Sequence, residues 1–191
     1  MNVAHPGFAD PVGDAQACFR AVLDAMARPG RIVPAGAGLV PPPPLDPATA
    51  SVLLTLADSD TKLWLDAPLR AAFDWVRFHC GASQAATPDE ADFALVRSMP
   101  DLGGLATGTH EEPEAGATLI LQIPALGTGR ALVLSGPGLE RPATLLSEGL
   151  PDGFAAAWAA NRALFPRGVD LILCAGTTLA ALPRSVAVTE G

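Results

Sequence analysis

The chain has 191 residues, 49% of them hydrophobic and 17% charged, so it can bury a sizeable core as one domain (1–191) yet is thinly charged for a lone soluble monomer. A net charge of −8 and a pI of about 4.7 exclude a nucleic-acid partner, which requires clustered Lys and Arg. An apolar run of roughly 18 residues, the mark of a membrane span, is missing.

The start, Met1-Asn2-Val3-Ala4-His5-Pro6, has neither the basic nor the apolar region of a signal peptide. Cys18, Cys80 and Cys174 are odd in number, widely spaced and outside any CxxC, and read as reduced thiols of a cytoplasmic protein. Low charge with high apolar content predicts that further surface is covered in an oligomer.

Phe19, Val22, Leu23 and Met26 recur at helical spacing, which predicts a helix over 14–27 stopped by Arg28-Pro29-Gly30. Residues 36–44 are rich in Gly and Pro and end in the run Pro41, Pro42, Pro43 and Pro44, a stiff polyproline-like connection. Asp46-Pro47 supplies an N-cap and first helical position for a helix through Leu56. Residues 62–65 read as a short strand. Pro68 then opens a helix with Phe73, Val76 and Cys80 on one face and Gly81 as its stop.

Residues 93–96 form a strand. Residues 118–123 and 131–134 form two more, joined by a glycine-containing hairpin loop over 124–130. Phe154, Trp158, Leu164 and Phe165 mark a helix beginning near Asp152, and residues 169–173 are a near-continuous apolar strand buried on both faces. Residues 185–188 suit a final edge strand. The alternation predicts a layered α/β domain, with a sheet in the middle, helices on both sides and a hairpin that makes the sheet mixed.

Motifs for the commonest chemistries are missing. There is no GxxxxGK[ST], no third glycine to complete a dinucleotide fingerprint, no GxSxG and no HExxH. Gly, Pro and Arg gather instead at four corners: Ala27-Arg28-Pro29-Gly30, Ser135-Gly136-Pro137-Gly138, Phe165-Pro166-Arg167-Gly168-Val169-Asp170 and Leu182-Pro183-Arg184. Eleven of the twelve basic residues are Arg, and Lys62 is the single lysine. A forked, permanently charged donor on a rigid turn suits bidentate capture of a carboxylate, a phosphonate-like group or an acidic partner surface. Alternatively the arginines pair with local carboxylates and pin turns.

Because proline already sets these turns, Arg28, Arg167 and Arg184 are expected to serve assembly or anion binding rather than folding. Asp170 beside Arg167 reads as an ion pair fixing its corner. His79-Cys80-Gly81 ends a helix, where the dipole disfavours a thiolate, so Cys80 is a poor nucleophile and the pair suits packing. His110 with Glu112 and Glu114, ahead of a strand, suits metal binding or substrate polarisation, or is a solvated loop.

Ordered along the chain, these motifs resemble a known family. They are Gly7-Phe8-Ala9-Asp10-Pro11-Val12, Phe19-Arg20, Met26-Ala27-Arg28-Pro29-Gly30, Leu53-Leu54-Thr55-Leu56-Ala57-Asp58, Trp64-Leu65 and Phe78-His79. Then follow Glu114-Ala115-Gly116-Ala117-Thr118-Leu119, Leu134-Ser135-Gly136-Pro137-Gly138 and the two last corners. The set, from about Gly7 to Val188, is similar to PhnH proteins, the H subunit of the bacterial carbon–phosphorus lyase system; the tetraproline run lies outside the pattern.

The resemblance implies a three-layer α/β/α sandwich with a mixed sheet, similar to the large domain of PLP-dependent transferases but lacking a PLP site and any cofactor. It implies a homodimer that also joins subunits G, I and J. With G, I and L, such a protein takes part in joining a phosphonate to ATP. Adenine is displaced and ribose 1-phosphonate 5-triphosphate forms, with the nucleosidase chemistry in subunit I. The H subunit is then a required, non-catalytic component of alpha-D-ribose 1-methylphosphonate 5-triphosphate synthase, with a phosphonate or ATP-derived ligand as a further partner. The other class of function is a self-standing small-molecule enzyme or anion binder using the Arg corners and the loop from His110 to Glu114.

Overall fold

The structure, a computed structural model, describes residues 5–191. Asp10, extended in backbone, accepts the Gly13 N–H and opens helix α1 (Pro11–Ala27). The helix therefore starts three residues before the predicted Asp14, because Pro11 fits the first helical position. Strand β1 (Val33–Pro34) follows, and then α2 (Pro47–Leu56). Asp46 precedes α2 as expected, but its carboxylate accepts the Gly176 N–H at 3.1 Å and makes no cap hydrogen bond to the helix.

Strand β2 (Lys62–Leu65) has its predicted bounds. The helix predicted from Pro68 begins later: a 3-10 turn, Arg70–Ala72, leads into α3 (Phe73–Cys80). Gly81, at φ +77°, closes α3, with its N–H donated to Arg77 O at 2.9 Å. Then come β3 (Ser83–Gln84), β4 (Phe93–Val96), β5 (Thr118–Gln122), β6 (Ala125–Ser135) and β7 (Ala143–Glu148). The chain ends with α4 (Phe154–Arg162), β8 (Asp170–Ala175), β9 (Thr178–Leu182) and β10 (Ala187–Glu190). Leu164 and Phe165, expected in the late helix, lie beyond the end of α4, and Phe165 is exposed.

The central sheet has seven strands in the order β1-β9-β8-β5-β4-β2-β3. From β8 to β3 the neighbours run parallel, while β9 and β1 are antiparallel and make the sheet mixed. The predicted hairpin between 118–123 and 131–134 does not form. Both sides of β5 are taken by parallel partners, β4 and β8, so β6 leaves the sheet at Pro124. It pairs instead with β7 and β10 in a separate antiparallel sheet of order β10-β6-β7. The final strand is an edge strand, as expected, but of this second sheet.

Strand alternation sends side chains to two cores. Leu63, Leu65, Leu95, Ile120 and Ile172 face one way, under Val22 of α1, Leu53 of α2 and Val76 of α3. Leu119, Leu121, Leu171 and Leu173 face the other way, against Phe154 and Trp158 of α4 and against Leu132, Leu134 and Leu145 of the small sheet. Three helices thus cover one face, whereas one helix and a three-stranded sheet cover the other. Trp158 is fully buried and donates its Nε1–H to Val186 O at 2.8 Å, which joins α4 to the approach of β10.

The tetraproline run has a partner inside the fold. Gln122, buried at the end of β5, donates from Nε2 to Pro44 O and accepts the Asp46 N–H at Oε1, each at 2.9 Å. One amide therefore satisfies a carbonyl and an N–H where the linker enters α2. A Gln122→Leu substitution keeps the volume and orphans both backbone groups. It is expected to lower unfolding free energy by about 1–3 kcal/mol in urea titration, the cost of unpaired buried polar groups. A neutral outcome would show that solvent replaces this amide.

Candidate functional site

The four Gly/Pro/Arg corners, far apart in sequence, are linked in space. A Cβ on Gly138, at φ +83°, would lie 2.4 Å from Ala27 O, so only glycine lets the second corner close on the first. Gly30 rests on Leu134 and Ala143, again joining the first corner to the second. Gly136 lies beside Ser185 O and Val186, next to the last corner. The last corner reaches the third through Arg184.

Arg184 and Asp170 form the most deeply buried ion pair of the described residues. Arg184 Nη2 and Nε lie 2.6 and 3.1 Å from Asp170 Oδ2, and the Arg184 N–H donates to Oδ1 at 2.7 Å. The remaining arm, Nη1, donates to Pro113 O at 2.7 Å. The two side chains are 12% and 24% exposed, so water screens the pair little. Gly116 completes the joint: a Cβ there would lie 2.4 Å from Gly168 O and 2.8 Å from Arg184 Nη1. Gly168 in turn donates its N–H to Thr107 O at 2.8 Å, and Asn161 holds both backbone groups of Val169 at 2.8 Å.

This geometry corrects the expected pairing of Asp170 with Arg167. Antiparallel pairing sets Leu171 of β8 opposite Leu182 of β9, which brings Arg184 to Asp170 across the sheet. Arg167 is left half-buried, with an Nε that has no partner. Arg28 is exposed and pairs with Asp24, one turn earlier on α1, and Arg31 shares that carboxylate at 3.0 Å. Only Arg184 among the three corner arginines is a substantial structural tie.

His110, Glu112 and Glu114 are exposed on the loop that Arg184 clasps through Pro113. Among the described residues no three His, Cys, Asp or Glu side chains come close enough to hold a metal ion. His79 stands elsewhere, on α3. Its Nε2 lies 3.3 Å from His5 O, and the carbonyl can only accept, so Nε2 carries the proton. Trp75 Nε1 donates to the same carbonyl at 2.8 Å, so the two rings strap the N-terminal segment onto the helix.

Cys80 is half-buried with its Sγ 3.6 Å from Leu53 O. Burial, and secondarily the nearby Asp58 charge, push its thiol up to about 11, while burial pushes Cys174 higher still. Both thiols are therefore protonated at neutral pH, and iodoacetamide at pH 8 should leave Cys80 and Cys174 unmodified in native protein while labelling both in urea. Rapid native labelling of Cys80, read by peptide mass, would contradict the packing described.

Arg28→Gln is expected to change stability by no more than about 0.5 kcal/mol, as for other exposed sites. Arg184→Gln removes the guanidinium donors to Asp170 Oδ2 and to the Pro113 carbonyl, while the backbone N–H to Oδ1 remains. It should cost about 2–3 kcal/mol, somewhat under the loss for breaking a fully buried pair. Urea unfolding of the two variants side by side tests this, and equal stability would remove the clasp from the list of stabilising contacts.

Sequence reasoning missed Asn161 and Pro113 as partners in this joint; their roles follow from backbone groups that no motif marks. Taken together, the fold and the linked corners define a layered α/β protein whose turns are tied to one another by close-packed glycines and by Arg184. The chain belongs to the bacterial phosphonate metabolism protein (PhnH) family, whose model matches residues 6–189. It is 43% identical over 183 residues to the alpha-D-ribose 1-methylphosphonate 5-triphosphate synthase subunit PhnH of Rhizobium meliloti (strain 1021), covering 93% of this chain and 92% of that one. It is also 34% identical over 176 residues, 89% of this chain and 83% of the other, to HtxG of Stutzerimonas stutzeri, named as a candidate C-P lyase subunit.

Proposed function

We propose that this protein is the H subunit of a carbon–phosphorus lyase assembly, required for making ribose 1-methylphosphonate 5-triphosphate from ATP and an alkylphosphonate and carrying no catalytic step of its own. The observation that carries this reading is the 43% identity sustained over nearly the whole of both chains. The partners are a second copy of this chain and subunits G, I and J, in the cytoplasm. No helix among the described residues is long and apolar enough to cross a membrane, which is compatible with that setting.

An assembled state is supported by surface composition. Val12, Phe19 and Leu23 of α1 are 69, 47 and 51% exposed, and their spacing puts them along one side of the helix. Phe78 and Phe165 add exposed rings. Such apolar surface on a thinly charged protein favours coverage by partners. The half-buried Arg167 and the exposed His110, Glu112 and Glu114 are the side chains we assign to partner or anion contact. Arg28 and His79 contribute through Asp24 and the N-terminal strap, and Arg184 with Asp170 holds the loop in place.

The fold reading that accompanies this function is the three-layer sandwich of PLP-dependent transferases without the cofactor. Lys62 bears on the cofactor alone: this lysine starts β2 as an exposed residue, with its backbone N–H donated to Asp92 Oδ2 at 2.7 Å.

Disrupting the gene in its host should abolish growth on methylphosphonate as sole phosphorus source, with restoration by the wild-type gene. Affinity capture of the tagged protein should recover subunits G, I and J. Unimpaired growth together with a protein that captures none of them would overturn the proposal in favour of a self-standing binder.

A further inference from the structure

A cleft of about 370 Å³ opens beside α1, and none of the arginine corners lines it. That volume falls within the range of small-molecule sites, roughly 300–1,000 Å³. Phe8, Ala17 and Leu39 form apolar walls, Cys18 and Ser51 lie in its floor, and Asp14 stands at its rim. Phe8 belongs to the N-terminal segment that Trp75 and His79 hold by the His5 carbonyl, so this wall is anchored to α3.

Two polar groups converge on the cavity. Ser51 is 1% exposed, yet among the described residues no protein group hydrogen-bonds its hydroxyl, and it lines the cleft. Its oxygen is not one of the fully sealed, unpartnered polar atoms, so solvent or a molecule seated in the cleft can reach it and pair with it. Asp14 accepts the Asp10 N–H at Oδ2 at 3.1 Å, which leaves further lone pairs able to accept from a ligand. Among the described residues no Lys, Arg or His lines the cavity. A carboxylate without a compensating cation repels phosphonates and polyphosphates.

We propose that this cleft binds a small planar heterocycle, neutral or singly cationic, that carries N–H donors. The ring lies against Phe8 and Leu39, an N–H meets the Asp14 carboxylate, and a ring nitrogen or amine pairs with Ser51 Oγ. The site is separate from the corners and independent of whether the protein joins a lyase assembly.

The test uses the purified full chain and 2-aminobenzimidazole as probe, with methylphosphonate as the anionic control, followed by saturation-transfer NMR and calorimetry. Wild type should bind the heterocycle and ignore methylphosphonate. Asp14→Asn should weaken binding about tenfold by removing a charge-assisted acceptor. Ala17→Trp, at an exposed helix position, should block the mouth and abolish binding with unchanged thermal unfolding. Three results would each overturn the proposal: no binding by wild type, binding indifferent to Ala17→Trp, or methylphosphonate displacing the heterocycle.

Discussion

Asp170 occupies the first position of β8, in the middle of the seven-stranded sheet, and Arg184 follows the end of β9. Their ion pair fixes where the β8–β9 hairpin finishes and hands one guanidinium arm to the loop that leads into β5. Beyond it, Val186 receives the Trp158 indole, and β10 then joins the second sheet. Loss of the pair would therefore free the loop before β5, the exit from β9 and the entry to β10 together. An exposed arginine pair has no such reach, since it is screened and orders only its own two side chains.

The parts of this architecture legible in the sequence are those whose signal is local. The strands 62–65 and 93–96 are short apolar runs between turn residues, and both fall where expected. Gly81 closes α3 because a left-handed cap asks for glycine and the chain supplies one. Missed elements lack such marks. Strand β9 is separated from β8 by only Gly176 and Thr177, so the two strands read as one apolar run followed by a tail. Strand β7 hides Leu145 and Ser147 in a polar-looking segment, and the first half of β6 is exposed around Gly127 and Gly129, like a loop. The false hairpin had a different cause. Nothing near 118–135 records that β5 already has two parallel partners, because those partners lie 25 residues earlier and 52 later in register: Phe93 and Asp170 both pair with Thr118.

The site shows the same division. That Gly, Pro and Arg cluster at four corners was plain, and the four corners are linked in space. Which arginine meets which acid was not plain. Arg167 sits three residues from Asp170, the spacing that favours pairing on a helix, but this stretch is a turn running into a strand. Hairpin register decides instead, and it selects a partner fourteen residues away. The expectation that proline leaves the guanidinium free of structural duty sits poorly with Arg184, whose surroundings are supplied by three segments at once, whereas Arg28 is exposed and pairs only within its own helix.

These assignments separate two kinds of surface chemistry on one small acidic protein. Two of the three corner arginines already hold a carboxylate, and Arg167 is the corner cation without one among the described residues. The cleft beside α1 carries the opposite character, a carboxylate and a hydroxyl set in apolar walls. What the chain presents is shape: an apolar stripe along α1, a loop held by the Arg184–Asp170 pair, and a cleft whose polar side chains are a carboxylate and a hydroxyl.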